Sequence, residues 1–106
     1  MQKWLLIVET NCKDEKRESE FNNWYDTMHI PDILNGTPGF KKATRYLIKE
    51  PTRGKGKYLA IYEIETDDIK KTMEAHARCV ENIKTAGRWT QWVDIVSRQI
   101  CKVGEL

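Results

Sequence analysis

The residues best suited to proton transfer in this sequence are its two histidines, His29 and His76. His29 stands four residues after Tyr25 and eight after Phe21, so it falls on the same helical face as these aromatic residues. His76 lies at the centre of the apolar stripe of a second predicted helix. Both imidazoles are therefore expected to point into the layer between the helices and a sheet.

A histidine in such a setting is suited to general acid or base catalysis. A helix C-terminus at His29 would favour the imidazolium, whereas burial among aromatic side chains favours the neutral ring. These opposed effects predict a pKa near neutrality, where the ring both accepts and returns a proton. Asp26 and Asp32 are close enough in sequence to orient the ring. A hydroxyl donor to a developing oxyanion is expected from one of the tyrosines Tyr25, Tyr46, Tyr58 and Tyr62.

The simpler alternative is that each histidine is a core residue whose ring is hydrogen-bonded to a backbone carbonyl. On that interpretation the neighbouring aromatic residues belong to the core, and Trp89 and Trp92 serve packing or an interface. Arg45 would then be a surface or interface charge, and residues 53–57 a solvated hairpin tip.

A strand followed by a helix positions His29. Residues 3–9 are bulky and β-branched, which indicates a strand. Residues 14–28 repeat aromatic and apolar side chains at helical spacing. Because Pro31 disfavours helical geometry at Ile30 and lacks an N–H group, the helix is predicted to end at or near His29.

A hairpin, a second helix and a last strand complete the chain. Strands are predicted at 40–49 and 57–65, joined by a loop over 50–56 that is rich in glycine and carries Pro51. The second helix opens at residues 66–68, contains Met73 and His76 on its apolar stripe, and ends at Gly87. The last strand is expected at about 93–103.

This order, βαββαβ, predicts an α+β, ferredoxin-like fold with a four-stranded antiparallel sheet and both helices on one face. Residues 1–106 are expected to form a single domain. Apolar residues on β-strand positions do not alternate with polar ones, as in the run from Trp4 to Val8, so both sheet faces are apolar. A bare apolar face predicts a homodimer with the two sheets packed face to face.

Composition and cysteine spacing limit the classes of partner and site. The 106-residue chain has 18 Lys+Arg and 16 Asp+Glu, a formal net charge of +2, which gives no strong field toward nucleic acid or an anionic membrane. The apolar run from Trp4 to Val8 is too short for a signal-peptide core or a membrane span, so a cytoplasmic protein is expected. Cys12, Cys79 and Cys101 lack CxxC spacing, which predicts free thiols and no metal site.

RNA-recognition modules share the predicted element order and need separate consideration. Their third strand carries aromatic residues on which bases stack. Here Lys57 and Leu59 stand where those rings are required. No nucleic acid partner is therefore expected.

The segment from Phe21 to Tyr46 resembles the signature of the EthD-like proteins of the dimeric α+β barrel superfamily. The matching residues are Phe21, Asn22, Trp24, Tyr25, His29, Pro31, Leu34, Pro38, Gly39, Phe40, Ala43, Arg45 and Tyr46. The resemblance implies a ferredoxin-like homodimer with a small-molecule pocket between sheet and helices, and it assigns the family's histidine to His29. The wider superfamily includes cofactor-free monooxygenases, polyketide cyclases, muconolactone-type isomerases and haem-degrading enzymes.

The leading hypothesis is a cofactor-independent enzyme of isomerase, cyclase, lyase or monooxygenase type, acting on an aromatic or enolisable intermediate. His29, His76 and Tyr25 are its predicted catalytic residues, and its predicted substrate-binding residues are Trp24, Tyr46, Tyr62 and Met73. One alternative is a haem-binding or haem-degrading dimer in which His76 is the axial ligand. Another is a non-catalytic small-molecule-binding dimer.

Overall fold

A four-stranded antiparallel sheet forms one layer of the structure, a computed structural model that describes residues 1–50, 56–104 and 106. The spatial order is β2-β3-β1-β4, and all three neighbouring pairs are antiparallel. The strands are β1 (Gln2–Cys12), β2 (Phe40–Leu47), β3 (Tyr58–Thr66) and β4 (Val93–Lys102). Most of the predicted hairpin loop, residues 51–55, lies outside the described residues, as does residue 105.

Helices cover one face of this sheet, which confirms the predicted ferredoxin-like fold. The first helical segment comprises a 3-10 turn (Glu15–Arg17), α1 (Glu18–Trp24), a π-helical turn (Tyr25–His29) and α2 (Ile30–Gly36). The second is α3 (Ile69–Thr85), which Asp68 caps by accepting a hydrogen bond from the Lys71 N–H, 3.1 Å away. None of these described helices is long and apolar enough to span a membrane.

The predicted end of the first helix at His29 is wrong, because the chain remains helical to Gly36. The Ile30 N–H donates to the carbonyl of Tyr25, five residues earlier, so the turn before Pro31 is wider than an α-helical turn. Pro31 then stands in the first turn of α2, where a missing N–H is tolerated. The wide turn lets the helix pass the proline and keeps His29 inside a continuous helical segment.

The hydrophobic core lies between the helices and the sheet face that they cover. Leu6 and Val8 of β1 lie opposite Tyr62 and Ala60 of β3, and these four side chains are buried. Phe21 of α1 is fully buried against them. Packing of these side chains fixes the helical layer over the centre of the sheet.

The other sheet face carries apolar side chains that the described residues leave uncovered. Leu5, Ile7, Leu59 and Ile61 lie on this open face and are each half-buried. Ile7 and Ile61 pair directly across β1 and β3 at its centre. The predicted failure of alternation is therefore confirmed for the two central strands.

A register shift in β2 decides which of its side chains face the helices. Phe40 is buried opposite Ile64, but the pairing shifts between Phe40 and Lys42. Because one extra residue reverses the alternation, Arg45 lies on the helix-facing side opposite Ala60. The next residue along β2, Tyr46, falls on the open face and is 50% exposed.

Candidate functional site

A cavity of about 440 Å³ lies between α3 and the helix-facing side of β1 and β4. One end of the cavity is formed by the π-helical turn. Its wall is mainly apolar, with Leu6, Val8, Met73 and Val80 among the lining side chains. The cavity exists because α3 covers β4 incompletely, leaving the helix-facing Ile95 and Ile100 47% exposed.

The π-helical turn positions His29 at this cavity within a cage of aromatic rings. Its imidazole stacks on Trp24 with ring centroids 4.8 Å apart and an interplanar angle of 17°. The rings of Tyr25 and Trp89 meet it edge-on at 5.1 and 5.5 Å. His29 is 7% exposed, so the cage fixes the orientation of the ring and removes most of its water.

The predicted near-neutral pKa of His29 is wrong. Burial, followed by the nearby His76 ring, lowers the pKa of His29 to about 4, against a smaller raising effect from Asp32. The helix continues to Gly36, so His29 is not at the helix C-terminus that was expected to favour its charged form. The ring is therefore neutral at physiological pH.

His76 lines the same cavity from the middle of α3. Its imidazole lies flat against Phe40, with ring centroids 5.1 Å apart and an interplanar angle of 8°. Burial, and next the positive charge of Arg98, lower the pKa of His76 to about 4. The cavity thus contains two neutral imidazoles.

The Nδ1 atoms of His29 and His76 are buried without a hydrogen-bond partner among the described residues. Among the described residues, no backbone carbonyl accepts a hydrogen bond from either Nδ1 atom. Buried polar atoms are nearly always hydrogen-bonded in folded proteins, so two unsatisfied imidazole nitrogens are unusual, and the rings that carry them both line the cavity.

Two tyrosines supply hydroxyl groups beside the imidazoles. Tyr25 and Tyr62 both line the cavity and lie close enough for each hydroxyl to affect the pKa of the other. Burial raises the pKa of Tyr25, and burial followed by the neighbouring Tyr25 raises that of Tyr62 well above its usual range. Both hydroxyls therefore keep their protons at physiological pH.

Arg45 supports this tyrosine pair. Its guanidinium lies 4.3 Å from the centroid of the Tyr25 ring and donates to Asp26 at 3.1 Å and to Asn22 at 2.9 Å. The side chain is only 12% exposed, so of the two roles predicted for Arg45, a surface or an interface charge, the surface role is wrong. The cation stabilises the position of Tyr25 through its ring face.

The structure brings most of the predicted site residues together. His29, His76, Tyr25, Tyr62 and Met73 all line the cavity. The described cavity wall includes neither Trp24, which lies behind the imidazole of His29, nor Tyr46, which lies on the open face.

The acidic residues expected to orient His29 have other partners. The Asp26 carboxylate accepts from Arg45, and the Asp32 carboxylate accepts from Arg88 at 2.7 and 3.1 Å. Asp32 therefore acts on His29 only through its charge.

Several lining residues were absent from the sequence prediction. They include Trp89 in the segment after α3, Lys84 of α3 and Arg98 of β4. The sequence assigns Trp89 to packing or an interface, and no local pattern singles out Arg98. Within the described ranges, no group of three or more His, Cys, Asp or Glu residues is placed to hold a metal ion. The three cysteines are free thiols, as predicted.

Comparison with known families and sequences gives one match. A family model described as "Domain of unknown function (DUF4286)" matches residues 3–82. No curated protein sequence matches the chain.

Solved structures share the fold at low sequence identity. A proposed monooxygenase from Shewanella loihica PV-4 has a TM-score of 0.62 at 11% identity, covering 100% of this chain and 99% of its own. An EthD family protein from Bacillus halodurans has a TM-score of 0.52 at 17% identity, covering 94% of this chain and 96% of its own. A dimeric ferredoxin-like protein of unknown function from Thermobifida fusca has a TM-score of 0.57 at 7% identity, covering 95% of this chain and 89% of its own. The resemblance to EthD-like proteins is thus confirmed at the level of the fold.

Proposed function

The chain belongs to the DUF4286 family, and we propose that this member is a cofactor-independent enzyme that transfers a proton on an aromatic or enolisable small molecule. The reaction is of isomerase, cyclase, lyase or monooxygenase type. The observation that carries the proposal is the pair of neutral, buried imidazoles that line one cavity.

His29 is the proton acceptor in this proposal. Its ring is fully in the base form at physiological pH, since its pKa is about 4. Such an imidazole is a weak base, so it requires a substrate whose C–H or O–H bond is already acidified by a carbonyl group or an aromatic ring. An enolisable ketone or a phenol meets this requirement.

The tyrosine pair stabilises the product of proton removal. When a C–H bond adjacent to a carbonyl breaks, the proton moves to His29 and the electron pair moves to the carbonyl oxygen as an enolate. The hydroxyl groups of Tyr25 and Tyr62 are the donors for that oxygen, because both keep their protons. Return of the proton to a different carbon completes an isomerisation, and His76 positions the substrate beside His29.

The proposal includes a homodimer formed through the open face. Leu5, Ile7, Leu59 and Ile61 form an apolar surface on that face, flanked by the exposed ring of Tyr46. A second copy of the chain would bury both surfaces in a symmetric sheet-to-sheet contact.

A second candidate keeps the cavity and makes it a haem site, in which His76 would hold the haem iron. The observation that favours it is the neutral imidazole at the cavity wall, which is the form that ligates iron. Haem would supply redox chemistry when bound. A Soret shift on adding haem that His76→Ala abolishes would support this candidate, and an unchanged spectrum would contradict it.

Deuterium exchange into an enolisable ketone tests the proton-transfer proposal without the natural substrate. We expect the protein to accelerate loss of the α-proton NMR signal of 2-tetralone in D₂O, and His29→Ala to reduce this acceleration by a factor of about 100 or more. Thr27→Ala is the matched control, because Thr27 lies on the exposed side of the same π-helical turn. Circular dichroism establishes that each variant is folded.

The outcomes separate catalysis from binding. Exchange no faster than in buffer, or acceleration that survives His29→Ala, contradicts the role of His29. If the protein binds 2-tetralone without accelerating exchange, the non-catalytic small-molecule-binding dimer takes the place of the enzyme.

A further inference from the structure

The charged side chains of the cavity wall lie on its rim. They are Glu81 and Lys84 of α3 and Arg98 of β4, all exposed. Two cations against one carboxylate give the rim a formal net positive charge. The buried lining residues are uncharged at physiological pH, since the imidazoles of His29 and His76 are neutral and the tyrosines are protonated.

Arg98 differs from the other arginines that adjoin aromatic residues of this layer. Arg45 is paired with Asp26 and Arg88 with Asp32. In the part of the chain that the structure describes, no carboxylate lies within ion-pairing distance of Arg98. Its guanidinium therefore has its full hydrogen-bonding capacity available to a ligand.

The register of β4 turns Arg98 toward the cavity. Arg98 lies opposite Val8 of β1, whose buried side chain faces the helices. The guanidinium is also close enough to His76 for its positive charge to lower the pKa of the imidazole. His76 in turn lowers the pKa of His29. The three side chains therefore follow one another from the rim inward in the order Arg98, His76, His29.

We propose that the ligand of this cavity is an organic anion, a flat aromatic or conjugated carboxylate whose charged group pairs with Arg98 and whose apolar body extends past His76 to His29. This inference rests on the proposed small-molecule function and specifies its substrate class. The planar guanidinium matches a carboxylate through two parallel hydrogen bonds. The apolar wall and the flat imidazole of His76 accept the uncharged ring system.

Desolvation fixes the direction in which such a ligand binds. A carboxylate placed at the inner end would lose water without gaining a cation, whereas at the rim it keeps some water and gains Arg98. The bound anion also offsets the charge of Arg98, which lowers the pKa of His76. Binding therefore raises the pKa of His76.

The test compares two probes that differ only in charge, 1-naphthoate and its neutral amide, 1-naphthamide, by isothermal titration calorimetry at pH 7.5. We expect the carboxylate to bind about 10-fold more tightly than the amide, as is typical of a charged hydrogen-bonded pair. Arg98→Gln removes this preference, and Arg98→Lys retains part of it. Arg78→Gln is the matched control, because Arg78 lies on the exposed side of α3 and away from the cavity wall; it keeps the preference.

Each contrary result has a definite meaning. Equal affinities for the two probes, or loss of the preference in Arg78→Gln as well, overturn the anion proposal and leave the proposed function intact, since the exchange of uncharged 2-tetralone does not depend on Arg98. A preference that persists in Arg98→Gln overturns the role of that residue. Absence of binding by either probe overturns both the anion proposal and the proposed small-molecule cavity.

Discussion

At the scale of single residues, the cavity holds His29 and His76 in a state that differs from that of exposed histidines. Aromatic rings surround His29, and the Phe40 ring covers His76. The resulting loss of water disfavours the imidazolium, and nearby positive charge acts in the same direction. The two rings are therefore bases that take up a proton only in response to a ligand or to acid.

The lowered pKa values predict that the protein loses stability in mild acid. The pKa of both histidines falls from 6.5 in the unfolded chain to about 4 in the folded one. Between these values the unfolded state binds more protons, so the free energy of unfolding rises with pH there and is level above about pH 6.5. Each histidine contributes up to about 3 kcal/mol, lost as the pH falls to 4. Urea unfolding between pH 4 and 7.5 measures this loss.

A histidine variant isolates this effect from the carboxylates. His76→Phe keeps an aromatic ring against Phe40 and removes one titrating group. We expect its free energy of unfolding to fall by about half as much as that of the wild type over the same pH range. An identical pH dependence in the two proteins contradicts the assignment of the loss to buried histidine.

At the scale of elements, contact between α2 and α3 closes the helical layer behind the cavity. Gly36 ends α2 directly over Cys79 of α3, and a Cβ atom at Gly36 would lie 2.6 Å from the Cys79 Sγ. The Cys79 thiol also donates to the carbonyl of Asp32 at 3.7 Å. The missing side chain at Gly36 lets the two helices approach.

This contact predicts that Gly36→Ala changes the free energy of unfolding in opposite directions in the wild type and in a Cys79→Ala background. Gly36→Ala is expected to destabilise the wild type by about 1–3 kcal/mol, because the new methyl group meets the buried Sγ. In a Cys79→Ala background the Sγ is gone and the next atom, Cβ, is 3.8 Å away. There the higher helix propensity of alanine stabilises the protein by up to about 1 kcal/mol. Denaturant unfolding of the four proteins measures the coupling; additive effects contradict the close approach.

At the scale of the whole molecule, the sheet separates two surfaces with different roles. The helix-covered face holds the core and the cavity, and the open face presents the apolar pair Ile7 and Ile61. An apolar sheet face of this kind is a liability for a monomer and a self-complementary interface for a symmetric dimer. The cavity and the proposed dimer contact thus lie on opposite sides of the sheet.

A charged substitution on the open face is expected to separate the dimer. Ile7→Lys places an ammonium group at the centre of the proposed interface, so light scattering after size exclusion should give a dimeric mass for the wild type and a monomeric mass for the variant. Leu47→Lys is the control, because Leu47 is 47% exposed on the other side of β2. A monomeric wild type, or a dimeric Ile7→Lys, contradicts the interface. The Ile61→Lys variant repeats the test from β3.

The sequence by itself determined the order of the helices and strands and which residues lie on the same face of a helix. Apolar spacing correctly put both histidines in the layer between helices and sheet, although the helix was expected to stop at His29. That predicted end was wrong because Pro31 is accommodated by a π-helical turn, and no residue pattern in residues 25–29 indicates such a turn. A local hydrogen-bond shift removed the conflict between proline and helix.

Only the tertiary structure decided which strand face meets the helices and where the cavity opens. Alternation from the buried Phe40 would turn Tyr46 inward, but the register shift after Phe40 turns Arg45 inward instead. Arg98 joins the cavity because β4 pairs with β1 at the edge that α3 leaves partly uncovered. The periodicity of apolar residues depends on neighbours within one helix or strand. Strand register and the coverage of the sheet depend on contacts between elements that are distant in the sequence. The sequence could therefore identify the two histidines, whereas their surroundings were decided by the fold.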